Sequence, residues 1–318
     1  MKYLDWGIYN FIVQEIILSK EKRNYSCCHL IFTKVSRIKF FLGVASQATT
    51  GYLRSDIILF NQAVPASGTT ETDNMEKKRM VDIHMHVIPA VDDGARSLKE
   101  SLEMLRLAGA QGVTAVVATS HGEAFDRGYS ELVRSRFDEL KKAAMDEIPS
   151  MQLYFGAEIY CSRYMIEKNI SRLQRGVYPS MNGTRYVLAE FSTWEEEEDA
   201  VYCLRKLQEA GYFPVLAHAE RCGFVNECSA RRLKEMNILI QINIYSVSQE
   251  PSDRIRERAN MLLRNRLVDF TGSDAHRMDH RRPSVADGIS YLYEKYDREY
   301  VDLILSGNAT EKILNASI

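Results

Sequence analysis

Apolar and polar positions follow a regular order along the chain from residue 80 onward. Short apolar runs rich in Val, Ile, Tyr and Phe predict seven buried β-strands, at 80–87, 114–119, 153–160, 186–191, 212–220, 238–244 and 267–272. Apolar residues at helical spacing predict helices between these runs, one beginning after Ser97 and others at 130–147, 227–236, 253–265, 284–296 and 299–315. Strands that alternate with helices predict a parallel sheet with right-handed crossovers.

The order of these elements predicts an α/β fold. Consecutive β-then-α units favour a distorted, seven-stranded (β/α) barrel, and an open doubly wound sheet is the alternative. The dinucleotide-binding version of the open sheet is disfavoured, because no G-x-G-x-x-G motif follows the first strand. The pattern Ser97-x-x-Glu100 predicts a capping box at the start of the first helix.

The first 79 residues lack this order. Their apolar runs, 11–18 and 38–44, are shorter than the roughly 18–20 apolar residues of a membrane-spanning helix, and 64–79 is typical of a polar linker. We therefore divide the chain into an N-terminal extension of uncertain structure, 1–79, and a domain, 80–318. The extension could be a membrane-associating or partner-binding segment, a small subdomain, or upstream sequence ahead of a start at Met75 or Met80. We favour upstream sequence, because the pattern of the domain begins at Met80.

Composition and charge narrow the classes of function. Of the 318 residues, 45% are apolar and 26% are charged, which is the balance of an ordinary globular protein. The formal net charge of −2 argues against nucleic-acid binding, which rests on a basic surface. The six cysteines form no C-x-x-C pair and are too few for a disulfide scaffold, which indicates a reduced, cytoplasmic chain.

Side chains that can bind metal ions stand at the carboxyl ends of six predicted strands. They are His84, His86, Asp93, His121, Glu158, Glu190, His218, Asp274 and His276. Because these ends meet at one mouth of a parallel barrel, we expect the side chains to converge. Clustered buried carboxylates would repel one another unless cations neutralised them. The number of ligands suits two or three divalent ions, and nitrogen and oxygen ligands without thiolate suit Mn²⁺, Fe or Zn²⁺ better than Ca²⁺.

Six short motifs carry these residues. They read DIHMHVIPAVDDG at 82–94, ATSH at 118–121, GAEIY at 156–160, LAEFS at 188–192, LAHAER at 216–221 and GSDAH at 272–276. Together they resemble the PHP (polymerase and histidinol phosphatase) superfamily. Within it, the chain is similar to the manganese-dependent protein-tyrosine phosphatases of bacterial capsule and exopolysaccharide clusters, the CpsB/CapC-like family. The resemblance extends from about Met80 to the C-terminus.

The resemblance implies both a site and a function. The side chains named above would be the ligands of a trinuclear centre, and Arg221 and Arg281 would face the phosphate, with Arg282 adjacent to the second. A metal-bound hydroxide would hydrolyse phosphotyrosine in the tail of a cognate bacterial tyrosine kinase that controls capsular or exopolysaccharide synthesis. The enzyme would be cytoplasmic and would meet the membrane only through this kinase. His280 and the bulky stretch 242–245 depart from the family pattern near the substrate mouth.

Other functions stay open at this point. One is a different PHP hydrolase, such as a histidinol-phosphate phosphatase or a nuclease, and another is a non-catalytic protein that binds kinase or glycan-assembly partners. Two other hydrolytic mechanisms are disfavoured. No cysteine begins the C-x5-R motif of a thiolate phosphatase, and the G-x-S-x-G elbow of a Ser-His-Asp hydrolase is absent. We interpret Cys161 and Cys222 as spectators near the mouth, and Asp92 as a residue that stabilises its turn.

Overall fold

A computed structural model describes residues 79–250 and 252–315, so the predictions for the N-terminal extension, apart from Arg79, lie outside the described residues. Seven strands form a parallel sheet in chain order. They are β1 Met80–Met85, β2 Val113–His121, β3 Gln152–Tyr160, β4 Tyr186–Glu190, β5 Phe213–Leu216, β6 Leu239–Asn243 and β7 Phe270–Gly272. The predicted number of strands and their parallel order are confirmed.

The first and last strands lie side by side and nearly close the sheet. Met85 and Ala275 form an isolated parallel bridge. Beside it, the His86 N–H donates to the Ala275 carbonyl at 2.8 Å, and the Asp274 N–H donates to the His84 carbonyl at 2.7 Å. The closure is irregular, because β7 has only three residues and β5 pairs with β6 at two positions. The predicted distorted barrel is confirmed, and an open doubly wound sheet is excluded.

The described residues form eight α-helices around the strands. They are α1 Leu98–Ala110, α2 Ser130–Glu147, α3 Ile166–Gln174, α4 Glu197–Glu209, α5 Glu227–Glu235, α6 Asp253–Arg264, α7 Ala286–Lys295 and α8 Arg298–Asp302, and π-helical turns at Leu303–Gly307 and Thr310–Leu314 extend the tail. Ser97 caps α1 as predicted, since its hydroxyl accepts a hydrogen bond from the Glu100 N–H. The capping box is not completed, because the Glu100 carboxylate accepts from the backbone and side chain of Arg96.

Two strand predictions exceed the observed strands by at least three residues, and each of these errors has a physical cause. The run 212–220 ends as a strand at Leu216, because His218 adopts a positive φ of 29° and a short 3-10 helix follows at Ala219–Arg221. The run 267–272 becomes a strand only at Phe270. Leu267 and Val268 are buried in the apolar core without pairing in the sheet, so their hydrophobicity extended the prediction.

The apolar residues form two clusters, on the two sides of the sheet. Val117 and Leu188 belong to the cluster that fills the barrel interior, while Val116 belongs to the cluster between the sheet and the helices. Ile313, near the C-terminus, also packs into the interior cluster. The interior is therefore apolar along most of its length, and polar side chains concentrate at the carboxyl ends of the strands. None of the helices in the described part of the chain combines the length and apolar composition that a membrane span requires.

Candidate metal centre

Three neighbouring strands each bring one predicted ligand to the mouth through simple alternation. On β2, Val117 faces the interior, so His121 faces the same side at the end of the strand. On β4, Leu188 faces the interior and Glu190 follows it on the same side. Glu158 occupies the equivalent position on β3, where it pairs with His121 in the sheet register. A regular strand is therefore enough to position these three side chains.

β1 requires a local irregularity to position its two histidines. Ile83 packs in the barrel interior, so strict alternation would send His84 and His86 to the outer side of the sheet. The register with β2 shifts within 82–85, where β1 contains one more residue than its partner. Such a bulge re-aims the side chains that follow it. As a result, both histidines are completely buried at the mouth.

The ends of β5 and β7 use backbone conformations that residues other than glycine rarely adopt. His218 has a φ of 29° and Asp274 has a φ of 52°. The two backbones are held in place, because the His218 N–H donates to Gln241 Oε1 at 2.8 Å and the Asp274 N–H donates to the His84 carbonyl at 2.7 Å. Backbone strain of this kind is often found at functional sites, where the surrounding contacts maintain it.

The predicted side chains meet at the mouth around Glu158. Its Oε1 atom lies 3.2 Å from His84 Nε2 and 3.0 Å from His218 Nε2. Its Oε2 atom lies 3.2 Å from His86 Nε2 and 3.1 Å from His121 Nδ1. Neighbouring ligands of one ion, at bond lengths of about 2.1 Å, are themselves about 3.0–3.4 Å apart. The spacing around this buried carboxylate therefore matches that of ligands around metal ions.

The remaining ligands extend the cluster to both sides of Glu158. Asp93 Oδ1 lies 3.4 Å from both His121 Nε2 and His276 Nε2. Asp274 Oδ1 lies 3.5 Å from His84 Nε2, and Glu190 Oε1 lies 3.6 Å from His218 Nε2. Three groups have ligand atoms within 4.8 Å of one another: His86, Asp93, His121 and His276; His84, His86 and Asp274; and His121, Glu158 and Glu190. The structure thus brings all the predicted ligands together.

The hydrogen bonds of the Nδ1 atoms of His84 and His86 indicate which ring nitrogens face the centre as acceptors. His84 Nδ1 lies 3.3 Å from Gln241 Oε1, and His86 Nδ1 lies 3.1 Å from the Asp92 carboxylate. Each Nδ1 is therefore the natural donor, which leaves the two Nε2 atoms, 3.3 Å apart, as acceptors. Acceptors this close, beside a carboxylate, need a positive charge between them. Either protons or metal ions can supply it, so the residues fit a metal centre.

The pKa values show how strongly this cluster attracts positive charge. Burial lowers the pKa of His218, but its hydrogen bonds with Glu158 and Glu190 outweigh burial and raise that pKa to about 10. Burial likewise raises the pKa of Glu158, but the charge of His84 and the other histidine contacts lower it well below its usual range. Metal ions displace protons from such ligands, since both bind the same lone pairs.

Asp92 and Gln241 support the predicted ligands, and the sequence identified only part of their roles. Asp92 stabilises its turn as predicted, because Oδ1 accepts from the Gly94 N–H at 3.0 Å, but its Oδ2 contact with His86 was missed. Gln241 was missed altogether. Its interior-facing position on β6, in alternation with the apolar Leu239, was a signal that could have found it.

Both predicted arginines lie at the mouth and contact the same carboxylate. Arg221 Nη1 donates to Asp274 Oδ2 at 2.7 Å, and Arg281 Nη1 donates to the same oxygen at 2.9 Å. Arg221 Nη2 also donates to the Tyr245 hydroxyl, and Arg281 Nη2 donates to His276 Nε2 at 2.7 Å. The arginines therefore border the predicted metal ligands on the side of Asp274.

Other residues near the mouth play no part in the cluster. Arg282 and His280 have exposed side chains, so of the two adjacent arginines it is Arg281 that reaches the centre. Cys161 and Cys222 are buried. Burial raises the pKa of Cys222 to about 12 and that of Cys161 further still, which agrees with their interpretation as spectators rather than thiolate nucleophiles.

The comparisons with known proteins agree with the motifs. The family described as "Capsular polysaccharide synthesis, CpsB/CapC" matches residues 80–315. Tyrosine-protein phosphatase CpsB of Streptococcus pneumoniae is 30% identical over 247 residues, which is 75% of this chain and 100% of that protein. Tyrosine-protein phosphatase YwqE of Bacillus subtilis strain 168 is 30% identical over 242 residues, which is 75% of this chain and 93% of that protein.

A solved structure gives the same result at the level of the fold. It comes from the crystal structures of YwqE from Bacillus subtilis and CpsB from Streptococcus pneumoniae, described as unique metal-dependent tyrosine phosphatases. The match has a TM-score of 0.67 and 29% sequence identity, and it covers 75% of this chain and 96% of the solved one. Family, relatives and fold therefore coincide over the same region, and the chain belongs to the CpsB/CapC family of capsular polysaccharide synthesis proteins.

Proposed function

We propose that this protein is a metal-dependent phosphatase that hydrolyses phosphotyrosine. The observation that carries the proposal is the position of Glu158, whose two carboxylate oxygens contact four histidines at 3.0–3.2 Å, as suits a carboxylate shared between ions. The class of substrate is supported by the relatives, because the matching proteins of S. pneumoniae and B. subtilis are named tyrosine-protein phosphatases.

The proposed centre holds two or three divalent ions. Its proposed ligands are His84, His86, Asp93, His121, Glu158, Glu190, His218, Asp274 and His276. All of them except His218 fall into the three groups described above, and His218 joins the cluster through Nε2, which lies 3.0 Å from Glu158 Oε1. We propose Mn²⁺ as the ion, with Fe and Zn²⁺ as alternatives that the same nitrogen and oxygen donors accept. Divalent ions would supply Lewis-acid chemistry, polarising the phosphoryl group and generating a nucleophile from water at neutral pH.

We propose that Arg221 and Arg281 bind the phosphate oxygens. A guanidinium has five N–H donors, and each of these arginines uses two of its nitrogens in the contacts with Asp274, Tyr245 and His276. Their side chains are 19% and 30% exposed, so the remaining donors are accessible from the mouth. Arginine suits this role because its planar donors match two oxygens of a phosphate at once. Asp274 would orient both guanidinium groups.

The proposed substrate is a phosphorylated tail of a bacterial tyrosine kinase that acts in capsular or exopolysaccharide synthesis. The family description supports this context. We place the activity in the cytoplasm, because four cysteines of the described chain are free thiols. Membrane contact would then occur only through the kinase. A nucleic-acid substrate is disfavoured by the net charge of −2.

Removal and return of the metal tests the proposal. The full chain, stripped of metal with a chelator, is assayed with a phosphotyrosine peptide, histidinol phosphate and single-stranded DNA before and after addition of Mn²⁺, Fe²⁺ or Zn²⁺. We expect hydrolysis of the phosphotyrosine peptide only after metal is returned, and we expect Asp274→Ala to abolish it. Full activity after rigorous stripping, or activity confined to one of the other two substrates, would overturn the proposal.

A further inference from the structure

A groove of about 500 Å³ opens beside the metal centre and shares Arg221 with it. Three elements line the groove. The loop after β4 contributes Trp194, the loop after β5 contributes Phe224, and the first turns of α6 contribute Arg254 and Arg258. A molecule whose phosphate is bound at Arg221 would therefore extend directly into this groove.

The aromatic side of the groove is unusually exposed. Trp194 is 85% exposed, although tryptophan is the side chain that gains most from burial. Phe224 is partly buried against the core and provides a fixed apolar surface next to it. Exposed tryptophan beside fixed apolar surface is characteristic of binding sites, because such residues dominate the energy of protein recognition.

The helical side of the groove carries two arginines without carboxylate partners. Arg258 Nη1 donates to the backbone carbonyl of Glu220 at 2.6 Å, and neither Arg258 nor Arg254 forms an ion pair with a carboxylate among the described residues. Arg256 of the same helix, by contrast, pairs with Asp253. Burial and then the charge of Arg254 lower the pKa of Arg258, so the two guanidinium groups are close enough to repel one another. Their charge is thus available to an anionic ligand.

The groove also carries negative charge. The loop after β4 contributes Glu195 and Glu196, which likewise form no ion pair with the described cations. A ligand with negative charge along its whole length would be repelled by these carboxylates. The groove therefore suits a segment that is acidic at one position only.

We propose that this groove binds the peptide segment next to the phosphotyrosine, with Trp194 and Phe224 against its main chain and Arg254 and Arg258 against one acidic side chain. Glu195 and Glu196, which line the same groove, disfavour further acidic residues in this segment. The inference rests on the proposed function, since it takes the phosphate to lie at Arg221. It adds a preference for acidic sequence on one side of the phosphotyrosine.

Peptides with a non-hydrolysable phosphonate in place of the phosphotyrosine test the groove separately from catalysis. One peptide carries Glu on the N-terminal flank, one carries Glu on the C-terminal flank, and one carries Gln on both. Binding to the Mn²⁺-loaded full chain is measured by fluorescence anisotropy for the wild type, Arg254→Glu and Trp194→Ala. Arg205→Glu and Tyr164→Ala are matched controls, because both side chains are exposed and neither lines the groove.

We expect the wild type to bind one Glu peptide about fivefold more tightly than the Gln peptide, in the range of an exposed ion pair strengthened by a second cation. Arg254→Glu should lose this preference, and Trp194→Ala should weaken binding of all the peptides about fivefold. The control variants should stay within about twofold of the wild type. Both groove substitutions alter exposed side chains, so loss of the fold is not expected.

Equal binding of the peptides by the wild type, or a preference that persists in Arg254→Glu, would overturn the inference. Hydrolysis of p-nitrophenyl phosphate, measured in parallel, separates this failure from failure of the proposed function. If the enzyme hydrolyses the small ester but binds the peptides equally, the inference about the groove is wrong and the proposed phosphatase function stands. If the protein hydrolyses no ester but prefers one Glu peptide, the peptide-binding groove is supported and the proposed function is wrong.

Discussion

Tyr245 accepts a hydrogen bond from Nη2 of Arg221, and its ring centroid lies 5.9 Å from the guanidinium carbon. Asp274 accepts from Nη1 of the same group at 2.7 Å. Arg221 is therefore fixed by one neutral and one charged partner. The stretch 242–245, whose bulk departs from the family pattern, has a physical role here, because Tyr245 holds the arginine that we propose to bind phosphate.

Tyr245→Phe should weaken substrate binding more than it slows turnover. The substitution keeps the ring and removes the hydroxyl that orients Arg221. A hydrogen bond to a charged group contributes about 1.5 kcal/mol, so we expect KM for a phosphotyrosine peptide to rise about tenfold with a smaller change in kcat. Steady-state kinetics checks this, with the exposed Tyr164→Phe as the control. Unaltered KM in Tyr245→Phe would show that the hydroxyl does not position Arg221.

Asp92→Asn should reduce metal affinity without removing a ligand. The Asp92 carboxylate accepts from His86 Nδ1 through Oδ2 and from the Gly94 N–H through Oδ1, and an amide cannot accept through both atoms. Loss of such a partner behind a metal-binding histidine typically lowers affinity about 10–100-fold. Titration of the metal-free protein with Mn²⁺ by calorimetry measures the change, and the exposed Asp279→Asn is the control. Equal Mn²⁺ affinity in both variants would contradict the supporting role.

Gly272→Ala should destabilise the protein and displace His84, a proposed ligand. A Cβ atom at residue 272 would lie 2.6 Å from the Cβ of His84, far inside van der Waals contact, and neither backbone can move without breaking the β1–β7 closure. Overpacking of this kind costs about 1–3 kcal/mol. Gly109→Ala in α1 is the matched control, because its Cβ would lie 3.5 Å from Met151 and alanine favours a helix by about 1 kcal/mol. Urea unfolding measures the stability of both variants. Equal shifts of the two unfolding curves would contradict the predicted overpacking at residue 272.

The sequence predicted all of the candidate ligands, but strand periodicity alone explains how only some of them reach the mouth. His121 and Glu158 end regular strands, so alternation from the apolar interior is enough to aim them at the mouth. The bulge at 82–85 and the positive φ of His218 had no local signal. They are imposed by contacts with β7 and with Gln241, which are distant in the sequence.

The errors in the fold have the same origin. Leu267 and Val268 resemble a strand because they are buried, but burial alone does not reveal whether a neighbouring strand pairs with them. Helix α3 was missed although Ile166, Ile170 and Leu173 stand at helical spacing. Pairing and packing partners, rather than residue type, determined the secondary structure of these segments.

A buried carboxylate away from the metal centre gives a pH-dependent contribution to stability. Glu100 accepts hydrogen bonds from the Arg96 backbone N–H at 2.9 Å, from Arg96 Nε at 3.1 Å and from the Met278 N–H at 3.3 Å. The side-chain hydrogen bond with Arg96 is the main reason that the pKa of Glu100 falls from 4.5 to about 2. The contacts tie the start of α1 to the segment after β7.

Glu100→Gln should lower stability near neutral pH and lose this effect in acid. Because the pKa of Glu100 is lower in the folded state, its stabilisation is present above pH 4.5 and disappears as the pH falls toward about 2. We expect the difference in unfolding free energy between wild type and Glu100→Gln to shrink across this window. Urea unfolding of the two metal-free proteins at each pH measures it, and subtraction cancels the titration of the histidine cluster they share. A difference that stays constant across the window would show that the charge of Glu100 does not stabilise the fold.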